Sequence, residues 1–254
     1  MSDYPAILTP VDHIEPAPRR VRGFCGGRPV FDTTEAIYVW EHPPYPHYYI
    51  PIADVDRELL VDEHTERLRR GPATRYGLRC GPVTRPGVAH VYGPDAMAGL
   101  AGMVRFDWDA LDAWFEEDEQ IFVHPRNPYT RLDAVRSTRP VRVELEGAVL
   151  AESSAPVMVF ETGLPTRYYV NRTDIDLGLL SSSDTVTACP YKGATTAYWS
   201  AVIDGTVHAD IAWCYDFPTA ALLPIAGLVA FYNEMVDLTL DGAPLPRPVT
   251  AFSR

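Results

Sequence analysis

Lys192 is the sole lysine of a 254-residue chain that otherwise draws its basic charge from 21 arginines. It stands in Cys189-Pro190-Tyr191-Lys192-Gly193, at a strand-to-loop transition. A guanidinium cannot replace an amine that must lose a proton, attack a carbonyl or form a Schiff base. One reading therefore makes Lys192 an amine catalyst, and the other makes it a point charge that pairs with a carboxylate or holds an anion. Cys189, three residues away, gains thiolate character if the ammonium depresses its pKa; otherwise it packs as a small apolar residue. Glu161, Tyr191 and Tyr198 are the candidate proton carriers around this amine.

Further groups could serve the same chemistry. Between His124 and Arg131 two prolines stiffen a loop that projects His124, Arg126, Tyr129 and Arg131. Arginines there could grip a carboxylate or phosphate in bidentate fashion, with histidine relaying a proton. The structural alternative is a clamp on acidic groups such as those of 116–119. Tyr168, Tyr169, Tyr198, Trp199, Trp213 and Tyr215 supply more aromatic surface than a small β core requires, which suggests a pocket with Tyr168 and Trp199 in its wall. The pairs Asp54/Asp56 and Asp174/Asp176 admit two readings: paired carboxylates for a divalent metal, or a first aspartate that caps a short helical turn before Leu59-Leu60 and Leu179-Leu180. Capping is the reading preferred here, with Asp174 and Asp176 as the metal alternative. Neither a phosphate-binding loop ending in Lys-Ser or Lys-Thr nor a G-x-S-x-G elbow occurs.

The elements that must position these groups come in duplicate. Residues 19–60 align without a gap on 139–180 at a constant offset of 120, matching Gly27/Gly147, Glu41/Glu161, Tyr48/Tyr168, Tyr49/Tyr169, Asp54/Asp174 and Asp56/Asp176. This repeat has the length of a compact domain. The predicted order is an extended arm over 1–18, a first β domain over 19–138, a second over 139–246 and a tail over 247–254. Short alternating runs between Gly and Pro punctuation predict a mainly β fold, a small barrel or sandwich in each half, with the two halves related as a pseudo-twofold dimer within one chain. Helix is expected only over 109–119, where Leu111, Trp114 and Phe115 fall at i, i+3 and i+4, and in a short turn near 220–226. On that helix Asp112, Glu116, Glu117 and Asp118 would face solvent.

Composition narrows the function classes. The net charge of −12 divides evenly, with 13 acidic and 7 basic residues from Arg139 onward and 21 and 15 before it. Neither half can assemble a basic face, so nucleic-acid binding is not expected. Cys25, Cys80, Cys189 and Cys214 share no CxxC spacing and no repeat position, and four reduced thiols are expected. With no run of about 18 apolar residues, a soluble cytoplasmic protein without membrane partners is the expectation, monomeric and without a cofactor.

The motifs Glu161-Thr162-Gly163-Leu164-Pro165, Asp174-Ile175-Asp176, Cys189-Pro190-Tyr191-Lys192-Gly193 and Tyr198-Trp199 resemble the domain-of-unknown-function family 427. Trp108 to Glu119 and the run His124 to Asp133 resemble the N-terminal repeat of its two-domain members. The resemblance extends from Arg19 to Pro246. It implies a tandem two-domain protein and, through the grouping of the family with nucleotidyltransferases, a nucleotidyl- or phosphoryl-transfer alternative at the Asp pairs. Beside it stand a small-molecule enzyme, with a possibly anionic ligand, and a non-catalytic binding module.

Overall fold

The computed structural model describes residues 9–253, in two compact units that meet in sequence at Asn127/Pro128. The first holds β1 (Ile14–Pro16), β2 (Val21–Cys25), β3 (Arg28–Thr33), β4 (Ile37–His42), β5 (Tyr45–Pro51), β6 (Leu60–Leu68), β7 (Gly71–Cys80), β8 (Val83–Tyr92), β9 (Met103–Phe106), β10 (Ala113–Glu116) and β11 (Glu119–Ile121). The second holds β12 (Leu132–Arg136), β13 (Val141–Leu145), β14 (Ala148–Ser153), β15 (Val157–Glu161), β16 (Arg167–Val170), β17 (Leu180–Ser183), β18 (Ala188–Cys189), β19 (Gly193–Ala194), β20 (Ala197–Ile203), β21 (Thr206–Cys214), β22 (Val229–Phe231), β23 (Asp237–Leu240) and β24 (Ala243–Leu245).

Each unit pairs a seven-stranded sheet with a four-stranded one. The orders are β1-β4-β5-β9-β8-β7-β6 and β11-β10-β2-β3 in the first, β12-β15-β16-β22-β21-β20-β17 and β14-β13-β23-β24 in the second. These are the same topology twice, down to the lone bridges Phe31↔Val55 and Ala151↔Ile175. The sheets are open rather than closed into a barrel, and the inner faces of each pair share one core. Val21, Phe31 and Trp114 meet Tyr38, Trp40, Tyr48 and Ile50 in the first unit. Val143, Leu150 and Leu238 meet Met158, Tyr168, Val170 and Ile211 in the second. Period-two alternation sends the intervening residues to the outer face of each large sheet, and the sites described below lie there. The hairpin after β2 places Gly26 and Gly27 at φ 59° and 75°, and its counterpart places Glu146 and Gly147 at 49° and 81°, as a two-residue turn with both φ positive requires.

Three expectations are corrected. The run 109–119 is not a helix: it forms a 3-10 turn at Trp108–Ala110 followed by β10 and β11. The apolar residues happen to fit a helical stripe, but alternation governs, burying Trp114 and Glu116 on one face. Glu116 is therefore not solvated; its carboxylate accepts from Arg19 Nη1 at 2.5 Å and from the Tyr48 hydroxyl at 2.7 Å. Nor are all four cysteines free, because Cys25 and Cys80 form a disulfide between the two sheets of the first unit, leaving Cys189 and Cys214 as thiols. Finally, the second aspartate of each pair is the cap: Asp56 accepts from the Glu58 amide at 3.2 Å and Asp176 from the Gly178 amide at 3.0 Å. The first aspartates close the preceding 3-10 turns, Ile52–Asp54 and Arg172–Asp174. The short turn near 220–226 is a 3-10 helix at Ala220–Ile225 that lays Leu222 and Ile225 over the outer face of the second unit. The passage 131–139 lies within the second unit and contains β12, which pairs with β15. No helix among the described residues is long and apolar enough to cross a membrane.

Candidate functional site

The Cys-Pro-Tyr-Lys-Gly motif folds as a small hairpin, β18 against β19, with Cys189 opposite Gly193. Gly193, at φ 97°, takes a backbone conformation that side chains disfavour. The chain then returns so that the Lys192 and Tyr191 carbonyls accept from the Thr219 amide and hydroxyl, at 3.1 and 2.6 Å. Lys192 is thereby turned inward, with 7% of its surface exposed. Its ammonium forms an ion pair with Glu161 at the end of β15 and lies 3.9 Å from Cys189 Sγ. Amine, carboxylate and thiol thus meet at one point, as three of the expected site residues.

Tyr198 belongs to the same face. Its hydroxyl lies 3.0 Å from Thr187 Oγ1 and 3.1 Å from the Tyr232 hydroxyl, and Tyr169 accepts from Trp213 Nε1 at 3.2 Å. Burial pushes the Tyr169 and Tyr215 hydroxyls far above the ordinary tyrosine range, so both are neutral at any physiological pH. Glu161 also lines an open groove of about 250 Å³ with Arg131, Asp133, Phe160, Thr162, Leu164 and Thr166. Arg131 stands at its rim, ion-paired with Asp133 at 2.8 Å, and Tyr129 is exposed nearby in sequence.

Other expected residues lie elsewhere. Alternation puts Tyr168 into the inner core and packs Trp199 against the same core, with Arg172 5.8 Å from its ring centroid. His124 and Arg126 belong to the first unit. There His124 stacks on Tyr45 with ring centroids 3.6 Å apart, and Arg126 pairs with Glu119 at 3.2 Å and Glu116 at 3.8 Å. Among the described residues no group of three or more His, Cys, Asp or Glu is placed to hold a metal ion.

In strand register the outer faces of the two units correspond residue for residue. Tyr49 and Tyr169 correspond, and across the ladders Arg105 corresponds to Ala230, His90 to Trp213 and Arg75 to Tyr198. Glu41 and Glu161 are retained but differently held. Glu41 accepts from the Tyr49 hydroxyl at 2.9 Å and from Arg105 Nε at 3.2 Å, with Arg70 3.9 Å away. Burial alone would raise its pKa, but Arg105, His47 and these hydrogen bonds together hold it below the ordinary value. The first unit therefore matches its glutamate with Arg105 of β9 and Arg70 of the turn between β6 and β7. The second replaces that lattice with aromatic rings and brings in an amine from a hairpin.

His47, next to Glu41, is pushed down to about 4 from 6.5 by burial, against the pull of the carboxylate. Its native state excludes a proton that the unfolded chain binds, so this contribution is complete above pH 6.5 and is lost as pH falls toward 4. The first unit is expected to lose up to about 3 kcal/mol over that window. His47→Gln should flatten that part of a denaturant-derived stability profile; an unchanged slope would refute the assignment.

Fold and duplication together define a tandem pair of homologous β-sandwich domains. The chain belongs to the family described as domain of unknown function (DUF427), whose model matches residues 13–117 and 133–242. No curated protein matches the chain. Lys192, Glu161, Cys189 and Tyr198 stand out in the sequence, whereas Arg167, Tyr232 and Glu234, which the fold brings together, do not. Arg167 was detectable, since it precedes Tyr169 by two residues and must share its face.

Proposed function

We propose that the second unit binds a small anionic molecule at one pocket centred on Lys192, and that Lys192, Glu161, Cys189 and Tyr198 are its working groups. The observation that carries this reading is the burial of the chain's sole lysine against a carboxylate. A buried ion pair is weak as a stabilising device, because desolvation offsets most of the Coulombic gain. Retaining it on the face where the fold requires only packing points to use. The anion approaches along the groove that Glu161 lines, where the Arg131 guanidinium and the Thr166 hydroxyl offer donors. Its acid group then competes with Glu161 for the ammonium, and Tyr198 or the released Glu161 carries any proton that moves. Tyr191 borders the amine within the same hairpin.

A panel of small carboxylates and phosphate monoesters, screened by thermal shift, tests this. Compounds that stabilise the native chain should fail to stabilise Lys192→Met. Lys192→Arg separates the two roles of the amine: retained binding assigns a charge anchor, whereas loss with an intact fold assigns an amine that must deprotonate. Equal stabilisation of the native chain and Lys192→Met would overturn the proposal.

A further inference from the structure

Arg167 is buried, and the Nη edge of its guanidinium is held by Glu234 in a bidentate pair, Nη1 to Oε2 at 2.6 Å and Nη2 to Oε1 at 2.8 Å, with Asn233 Oδ1 at 3.1 Å from Nη1. With its edge satisfied, the cation presents its flat faces to aromatic rings. Three rings surround it: Trp213 at 5.8 Å, Tyr232 at 5.7 Å and Phe252 at 5.8 Å from the guanidinium carbon to each centroid. Two of them are fixed parts of the sheet region. Phe252 is different in kind. It arrives on a segment outside any strand, remains 44% exposed, and leans on Tyr232 with centroids 6.0 Å apart. A recess of about 190 Å³ lies beside it, lined by Tyr232, Met235, Ala251, Phe252 and Ser253.

The segment is shaped by bonds of its own: the Thr250 amide donates to Ser253 Oγ at 3.0 Å, the Phe252 amide to Thr250 Oγ1 at 3.0 Å and the Ser253 hydroxyl to the Pro248 carbonyl at 3.4 Å. The Thr250 hydroxyl donates to Glu234 Oε1 at 2.6 Å, and a local turn closes with the Ser253 amide donating to the Thr250 carbonyl at 3.3 Å. The platform beneath is not demanded by the fold. At the corresponding register positions the first unit has His47 for Arg167, His90 for Trp213 and, one residue beyond Phe106, Asp107 for Tyr232. What only one of two homologous units carries is a candidate for specialised use.

We infer that Phe252 occupies the place of a planar aromatic or heteroaromatic ring, and that Arg167, Trp213 and Tyr232 form a ring-binding site which the segment Thr250–Ser253 covers. The ligand's ring stacks on Tyr232 and the guanidinium once Phe252 swings away. Because Arg167 is already neutralised by Glu234, recognition is of ring shape and π-surface rather than of charge. This goes beyond the anion reading at Lys192 and does not depend on it.

Indole, planar and uncharged, is a suitable probe, with cyclohexanol as a non-planar control; both dissociation constants are measured by ligand-observed NMR. Phe252→Ala is expected to bind indole at least tenfold more tightly than the native chain. Thr250→Val, which releases the segment but keeps the ring, should shift the affinity in the same direction and serves if Phe252→Ala folds poorly. Adding Trp213→Leu to either variant should abolish the gain. Equal affinity in native and variant chains, no indole binding in any of them, or cyclohexanol bound as tightly as indole would overturn the inference. Since the probe carries no charge, such a failure would leave the Lys192 proposal standing.

Discussion

Lys192→Met is expected to cost the second unit roughly 3 kcal/mol of stability, because it leaves the largely buried Glu161 carboxylate without its counter-ion. Both side chains of the pair are about nine-tenths buried, so solvent screening relieves little of the penalty. Glu161→Gln should cost a similar amount by leaving the ammonium without its counter-ion. Combined, the two substitutions should cost less than the sum of the single ones, since no uncompensated charge remains. Denaturant unfolding of the four chains closes the cycle. Strict additivity would mean that the ammonium and carboxylate do not interact in solution, and the geometry of the candidate site would then be wrong.

Reducing the Cys25–Cys80 disulfide should lower the stability of the first unit by about 4 kcal/mol on the chain-entropy model. The bond spans 55 residues of sequence and joins β2 of the small sheet to the end of β7 in the large one. Register correspondence puts Leu145 and Ile203 at the same two places in the second unit, both buried in its core. The fold thus fills this inter-sheet contact with apolar side chains in one copy and a covalent bond in the other. Cys25→Ala should reproduce the loss under non-reducing conditions, and Cys25→Leu with Cys80→Ile should recover part of it. Calorimetry with and without reductant is the check. If reductant leaves the unfolding of the first unit unchanged, the two thiols are not bonded in solution.

Much of the fold was legible because the duplication could be read without gaps from Arg19 to Leu60. The alignment stops there for a physical reason. Strands β6 and β7 run 9 and 10 residues, whereas β17 and β20 run 4 and 7. Differences in hairpin length shift the offset, so the equivalence of Tyr92 with Tyr215 and of Phe106 with Phe231 emerges only from the ladders. The disulfide was hidden by the same comparison that exposed the repeat. Because neither Cys25 nor Cys80 has a cysteine counterpart, symmetry argued against a bond that depends on two sheets meeting in space. The misread helix at 109–119 shows the ambiguity of a short apolar pattern: three residues satisfied a helical spacing while Trp114 and Glu116 satisfied the strand period. At the site, composition marked Lys192, and its motif marked Cys189. Nothing in the sequence tied Phe252 to Arg167, since that contact joins residues far apart in the chain through cation and ring geometry alone.

A chain with one lysine permits a direct test of the central claim. With lysine labelled by ¹⁵N, the ammonium of Lys192 gives the only lysine side-chain resonance in the spectrum. Held on Glu161 and shielded from water, it should exchange slowly, shift markedly in Glu161→Gln, and shift again when a stabilising anion from the thermal screen is added. A fast-exchanging resonance at the position of a free lysine, indifferent both to Glu161→Gln and to the anion, would contradict the account.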